Sequence, residues 1–398
     1  MKLVFFSVFP LEYFGGLEKY FIEVSTELKK RYNQQIDEIC IINLSDIFYK
    51  NLCKFISLSF FYRIKPIYRE KSDNIKKKLN NVKWEKISFK NLKKTLQKFD
   101  IIYTKNEVLE LFILKIIKLN SSIGVISGVH TSPNYPNDKS FFNKFRNYIY
   151  NSKFYKYLSS NIDCFHVINS NDERFLQKKF PKKNIVKIYN PFNFLGYREQ
   201  SNKETCDINL NKNKFNIIWV GRLTNQKGVS DLIKIIEKIN KENSNRIIWN
   251  IIGDGELKND IELIKNKYNN VNYYGYIEQN LIPFILKQAD IFISTSKWEG
   301  FPYNILEAQS LSLPVLAYDI NGINDIIENK KNGFLVENIN DFENILNDTI
   351  NNKIKLNVND IFSFINNKFN KENIYKNIFN LITSTYERTK NRRTNNKS

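Results

Sequence analysis

Trp298-Glu-Gly-Phe-Pro-Tyr-Asn-Ile-Leu-Glu-Ala-Gln-Ser-Leu311 is the stretch that decides the fold. It follows Ala289-Asp-Ile-Phe-Ile-Ser-Thr-Ser296, an apolar run of the length of a buried strand. Pro302 suits the first turn of a helix, where its missing N–H costs nothing and its fixed φ is already helical. The stretch therefore reads as strand, loop and helix, with Glu299 in the loop and Glu307 in the helix. In an open α/β sheet such a loop lies at the carboxyl edge of the strands, where ligands bind. Free amides at a helix start attract phosphate, and carboxylates beside them accept hydrogen bonds from hydroxyls. A ligand that carries both groups, such as a nucleotide sugar, fits this pattern.

Working outward, the same alternation of apolar runs and amphipathic stretches fills the chain, which predicts an α/β fold with parallel sheets covered by helices. In the second half the strand candidates are 215–220, 247–252, 271–274, 290–294, 314–318 and 333–336, with helices at about 228–241, 256–267, 279–287 and 302–311. In the first half they are 3–8, 36–42, 101–104, 124–127, 164–169 and 185–188, and residues 17–31 repeat apolar side chains at helical spacing. Residues 50–98 give no clear pattern. Asn190-Pro191 opens a polar stretch reaching about Lys214 that reads as a linker, so the expected domains are 1–190 and 191–370. The basic, polar end, 389–398, reads as a disordered tail.

The 398 residues suffice for two such domains, and 42% hydrophobic with 26% charged residues is the composition of a soluble globular protein. No run of 18 apolar residues marks a membrane-spanning helix. The apolar start, residues 1–10, reads as a buried strand and not as a signal peptide. Four scattered cysteines without metal spacing suit reduced thiols in the cytoplasm. The net charge of +20 points to anionic partners, or to a composition biased toward Lys, Asn and Ile. Neither an RNA-binding signature nor a zinc module accompanies it, so nucleic acid is not an expected partner. Residues 141–158 mix aromatic with basic side chains, as would a helix on an anionic membrane or one packing an aromatic face on a sheet.

Several residues stand where chemistry is expected. Arg222 and Lys227 follow a buried strand and precede a helix, so a diphosphate could meet both a planar fork and a mobile point charge. Gly15-Gly16 lets backbone approach a ligand closely. His130 follows the strand that ends near Ser127, whereas His166, inside a strand, reads as a packed residue. Glu18 reads as a first-turn helix acid. Gly253-Asp254-Gly255 and Tyr274-Gly275-Tyr276-Ile277 end two further strands. No Asp-x-Asp triplet supports a metal-bridged diphosphate, and the expectation is a site without metal or other cofactor.

Glu299-Gly300-Phe301-Pro302 followed by Glu307-Ala308 resembles the double-glutamate motif of family 4 glycosyltransferases. Gly15-Gly16-Leu17-Glu18, Val220-Gly221-Arg222-Leu223 with Gln226-Lys227-Gly228, and Gly253-Asp254-Gly255 occur in that family's order, and the likeness is densest after residue 213. The resemblance implies the GT-B fold, two Rossmann-like domains facing across a cleft, with a C-terminal helix, 371–388, returning to the first. It implies a retaining transfer in which Arg222 and Lys227 hold the donor diphosphate and His130 lies near the transferred sugar. Glu299 would accept from sugar hydroxyls and Glu307 from the ribose. Gly15, Gly16, Gly253, Gly255, Tyr276, Ile277, Gly300, Phe301, Pro302 and Leu306 would complete the donor site. The implied donor is a UDP-sugar ahead of GDP-mannose, and the implied acceptor is a growing glycan, foremost a lipid-linked oligosaccharide of the cell envelope. An anionic membrane surface is a further candidate partner, on the inner face of the plasma membrane. Asn321-Gly322-Ile323-Asn324-Asp325 departs from the family, which more often carries adjacent glycines and a glutamate there. The competing readings are another GT-B activity, such as a sugar-nucleotide epimerase or a glucan phosphorylase, and a non-catalytic basic binding protein.

Overall fold

A computed structural model describes residues 1–9, 11, 16–45, 72–80, 82–133, 141–203, 206–354 and 356–395. The chain divides into two compact units, Met1–Asn190 with Glu372–Ser398, and Pro191–Lys371.

The first unit is built on a seven-stranded sheet of β1 (Lys2–Ser7), β2 (Glu38–Leu44), β3 (Lys83–Ile87), β4 (Ile101–Lys105), β5 (Gly124–Val129), β6 (Cys164–Val167) and β7 (Asn184–Lys187). Its order is β3-β2-β1-β4-β5-β6-β7 and every pairing is parallel. Strands β4 and β5 are buried along their whole length, which is why they read as nearly continuous apolar runs. Strand β3, Lys83-Trp-Glu-Lys-Ile87, lies at the sheet edge, with three charged residues among its five and no fully buried position. That charge hid it from a search for apolar runs. It is pinned by Trp84, whose Nε1 donates to Asn43 Oδ1 at 2.7 Å.

The second unit carries six parallel strands, β8 (Phe215–Val220), β9 (Ile247–Ile252), β10 (Val271–Tyr273), β11 (Ile291–Ser294), β12 (Val315–Tyr318) and β13 (Gly333–Val336), in the order β10-β9-β8-β11-β12-β13. Both sheets start in the middle, grow one way, then restart beside the first strand. Each therefore has a switch point, between β1 and β4 in one and between β8 and β11 in the other, and the carboxyl ends of strands at such a point leave room for a ligand.

Three expectations need correction. The polar stretch after Asn190 is no linker, because Phe194–Lys203 is a helix of the second unit that packs on the helices Ile282–Leu286 and Tyr303–Ser310. Phe192 and Phe194 anchor it with rings 4.7 Å apart. Residues 141–158 are two helices, Phe141–Asn151 and Lys153–Leu158, broken at Ser152, whose side chain accepts from the Tyr155 N–H. The basic tail is helical as far as Asn395, extending the last helix, Lys371–Asn395, beyond the expected end at 388. Its hold on the first unit is specific. Tyr375 donates to Glu23 Oε1 at 2.8 Å, Phe379 stacks on Tyr32 at 3.8 Å, and Arg392 Nη1 pairs with Asp163 Oδ1 at 2.5 Å. Thr385 and Thr389 are buried one turn apart, and a Cβ on Gly124 would come within 3.2 Å of both. No helix among the described residues is long and apolar enough to cross a membrane.

Ending the chain at Arg388 is expected to lower the melting temperature by several degrees, since it removes buried Thr389 and the Arg392–Asp163 pair. A loss of about 1–3 kcal/mol corresponds to roughly 2–10 °C for a unit of this size. Differential scanning calorimetry reads this directly, and an unchanged melting point would restore the disordered tail.

Candidate active site

In the second unit β8 and β11 lie side by side at the switch point, and the loops that leave them carry the predicted charges. A short 3-10 turn, Asn225–Lys227, closes at Gly228, whose φ is +68°. A Cβ there would stand 1.8 Å from the Thr295 carbonyl oxygen, so only glycine lets the β8 loop rest on the end of β11. Thr295 Oγ1 donates to the Lys227 carbonyl at 2.8 Å and accepts from Trp219 Nε1 at 3.2 Å. These bonds aim Lys227 at the next loop. Its Nζ meets Glu299 Oε1 at 2.5 Å, the two side chains being only 14% and 9% exposed. Arg222 stays exposed and donates to Gln226 Oε1 at 3.3 Å, while Gln226 Nε2 donates to the Trp298 carbonyl at 3.1 Å. Sequence reasoning named Arg222, Lys227 and Glu299 and quoted Gln226 only as part of a motif; it missed Trp219 and Thr295, which with Gln226 hold them in place.

The helix begins at Tyr303, so Pro302 is its N-cap, in extended conformation, and not a residue of the first turn. Asn304 Nδ2 donates to the Val220 carbonyl at 2.9 Å and ties the helix to the end of β8. Glu307, one turn on, is buried and accepts from Gln279 Nε2 at 3.3 Å. Tyr197, unmarked in the sequence, stands near it. Its buried hydroxyl has no hydrogen-bond partner among the described residues, and burial, reinforced by the Glu307 charge, drives the phenol pKa far up. Gly300 is half-buried. Phe301 packs edge-on against Phe369 at 5.4 Å, and Leu306 lies wholly inside.

Gly253 has φ +143° and a Cβ on it would fall 1.8 Å from the Gly221 carbonyl oxygen, so this glycine and Gly255 serve first to pack the loop after β9 against the loop after β8. Tyr276 projects outward, 71% exposed, beside half-buried Ile277. Gly322 brings the divergent segment to the site: its φ is +82°, and a Cβ would come 2.3 Å from the Gly300 carbonyl oxygen. Asp325, three residues on, is buried.

The first unit repeats the device at its own switch point. Lys105, at the end of β4, pairs with Glu18 in the helix Gly16–Arg31 at 2.6 Å, both buried. Glu18 stands in the first turn of that helix as expected, and it is in addition a buried ion-pair partner. Gly16 opens that helix, and Gly15 lies outside the described residues. Glu110 is fully buried close by; burial, opposed by Lys105, pushes its carboxyl up to about 7.

His130 follows β5 as expected, but both ring nitrogens face the interior. Nε2 lies 3.2 Å from the Tyr103 hydroxyl, Nδ1 has no solvent exposure, and the ring packs 4.3 Å from Tyr20. His166, whose Nδ1 also meets the Tyr103 hydroxyl, lies 5.5 Å away edge-on. Its Nε2 stands 2.8 Å from the Ile188 carbonyl, which can only accept, so Nε2 carries the proton and Nδ1 accepts from Tyr103. The chain's two histidines thus form one aromatic cluster with Tyr20 and Tyr103, in which His130 is half-buried and the other three are buried.

Residues 200–360 match the family described as Glycosyl transferases group 1. This part of the chain is therefore similar to group 1 glycosyl transferases. Within relatives, 170 residues are 34% identical to the uncharacterized glycosyltransferase MJ1059 of Methanocaldococcus jannaschii, covering 42% of each chain. Another 135 residues are 38% identical to the UDP-Gal:alpha-D-GlcNAc-diphosphoundecaprenol alpha-1,3-galactosyltransferase of Escherichia coli, covering 33% of this chain and 34% of that one. The matched part spans well under half the length of these curated relatives. The fold likeness runs further. The lipopolysaccharide outer core galactosyltransferase WaaB superposes with a TM-score of 0.68 at 19% identity, over 96% of this chain and 99% of that one. Anabaena HepE in complex with UDP-glucose gives 0.67 at 18%, over 96% and 100%. The fold is therefore GT-B, with the residues that match the family spanning β8 to β13 and the C-terminal helix belonging to the first unit.

In the first unit, the histidine cluster carries an expectation about pH. Burial holds His166 down at about 4, and burial together with His166 holds His130 well below its ordinary value. For a base with a depressed folded pKa, stability is present above the unfolded value near 6.5 and is lost as pH falls toward 4. For His166 the loss amounts to about 3 kcal/mol. Side-chain nitrogen NMR should show both imidazoles neutral and unshifted from pH 8 to pH 6, with His166 protonated at Nε2. A titration midpoint near 6.5 for either ring would contradict the cluster.

Proposed function

We propose that this protein is a retaining glycosyltransferase that moves a hexose or N-acetylhexosamine from a nucleotide sugar to a growing glycan. The observation that carries the reading is Lys227 held 2.5 Å from buried Glu299 at a sheet switch point, within the residues that match group 1 glycosyl transferases. A departing diphosphate needs positive charge placed before the reaction begins, in a site too dry for water to supply it. Lys227 is fixed for that task, Arg222 is exposed and free to close on the phosphates, and no metal is required of the scheme. Glu299 then hydrogen-bonds sugar hydroxyls and Glu307, with Tyr197 near it, receives the ribose.

A UDP-sugar is the favoured donor, since the Escherichia coli relative is named for UDP-Gal and HepE was solved with UDP-glucose. GDP-mannose is second. A lipid-linked glycan on the inner side of the cell membrane is the favoured acceptor, again on the name of that relative. In the proposed front-face step the bond from the anomeric carbon to the diphosphate oxygen breaks, the acceptor oxygen bonds to the same face, and the acceptor proton passes to the leaving phosphate.

Calorimetric titration with UDP is expected to show micromolar to millimolar binding that weakens at least tenfold in Lys227→Ala and Arg222→Ala, with no effect of a chelator. Hydrolysis of UDP-sugars, or their transfer to lipid-diphosphate acceptors, should drop by one to two orders of magnitude in Glu299→Gln, the size of one lost bond to a charged group. UDP affinity unchanged by Lys227→Ala, or a product of inverted anomeric configuration, would overturn the corresponding half of the proposal.

A further inference from the structure

The two helices that follow the site-bearing strands of the first unit leave large apolar side chains uncovered. Phe112 and Ile116 stand one turn apart on the helix Val108–Ile117, Phe154 and Tyr157 one turn apart on Lys153–Leu158, and the four are 44–59% exposed. The helices pack together, and Lys115 stitches them: its Nζ lies 4.6 Å over the Tyr157 ring and donates to Ser160 Oγ at 2.5 Å. Each helix also has an inner face, with Leu111, Ile113, Leu114 and Ile117 on one and Tyr155 and Leu158 on the other fully in the core. Packing therefore explains only one side of each helix. On the neighbouring helix Phe145 and Tyr148 are exposed as well.

The charge around this face has one sign. Residues 111–122 and 141–162 contain no Asp or Glu, while Lys118, Lys144, Lys153 and Lys156 are exposed. Lys183 joins the cluster by donating to the Ser160 carbonyl at 2.9 Å. These cations crowd one another. Lys183 is held below its ordinary pKa by partial burial and then, against the pull of Asp163, by Arg392 and Lys115; Lys179 is lowered by partial burial and by Lys156. An anionic surface would relieve that repulsion.

We propose that the face formed by Phe112, Ile116, Phe154 and Tyr157, rimmed by Lys115, Lys118, Lys153 and Lys156, docks this protein on an anionic lipid bilayer. Half-exposed aromatic and aliphatic side chains enter the headgroup boundary, while lysine stems lie along them and keep the ammonium groups at the phosphates. A nucleic acid would use the cations but leave Ile116 and Phe112 without a role, and an apolar protein partner would leave the lysine rim without one. Each interfacial cation contributes about a fivefold gain in partitioning, so two of them set a change of about tenfold or more. The inference needs no assumption about the sugar donor.

The test is flotation of the full chain with vesicles of phosphatidylcholine, with and without 30% phosphatidylglycerol (about a third, enough for a negative surface potential), at low and high salt. Wild type is expected to float with the anionic vesicles and to lose most of that binding at high salt. Lys153→Glu with Lys156→Glu, and separately Phe154→Ser with Tyr157→Ser, should each lose tenfold or more. Lys212→Glu with Lys265→Glu makes the same charge change on the second unit and should float like wild type; circular dichroism and UDP titration check that every variant is folded. Indifference of wild type to anionic lipid overturns the proposal, as does equal loss in the Lys212 and Lys265 control. Tight binding of a duplex DNA or RNA probe abolished by Lys153→Glu with Lys156→Glu, without vesicle binding, also overturns it in favour of a nucleic-acid face. UDP binding reports on the glycosyltransferase reading by itself, so either can fail without the other.

Discussion

The structure depends on a lysine and a glutamate forced together where a parallel sheet changes direction. Lys227 and Glu299 come from loops 72 residues apart in sequence, yet β8 and β11 are neighbours, so the two loops leave the sheet side by side. A pair this dry adds little net stability, because the desolvation of both charges offsets their attraction. Its value lies in position. The carboxylate keeps the ammonium ordered before an anion arrives, and that anion can then compete for a cation whose orientation has already been fixed. Trp219, Thr295, Gln226 and the positive φ of Gly228 all serve to keep the two loops in that register.

The first unit shows the same solution reached with other residues. Lys105 ends β4 and Glu18 enters the helix after β1, so the pair again spans the central switch point. Around it the interior is unusually polar, with Glu110 raised to about 7 by burial and two neutral histidines joined through Tyr103. The Tyr103 hydroxyl orients both imidazoles, since it donates to His166 Nδ1 and stands in reach of His130 Nε2. Gly128 is part of it, because a Cβ there would come 2.6 Å from the Tyr103 hydroxyl.

Much of this was legible in the sequence, and the physical reason is burial. Strands covered on both faces must be apolar throughout, so 215–220 and 247–252 emerged with the bounds the structure gives them. Edge strand β3 escaped because both of its faces carry charge, and the helix Phe194–Lys203 because it buries little beyond Phe194 and Ser201. The tail looked disordered for the same reason: its polar threonines and arginines gain order only from Gly124 and Asp163, far away in sequence. At the site, glycine-bracketed loops announced Arg222, Lys227 and Glu299. What could not be read was the pairing of His130 with Tyr103 and His166, since lone histidines carry no periodic signal and their meeting depends on the register of β4, β5 and β6.

Exchanging the charges, Lys227→Glu with Glu299→Lys, separates the two roles assigned to this pair. The exchanged protein keeps an ion pair between the same loops, so its melting temperature should lie close to that of wild type and above that of either single charge reversal. Its affinity for UDP should nevertheless fall at least tenfold, because the cation has left the position where the diphosphate departs. Wild-type UDP affinity in a stable exchanged protein would contradict the account, leaving Lys227 and Glu299 as a structural clasp and nothing more.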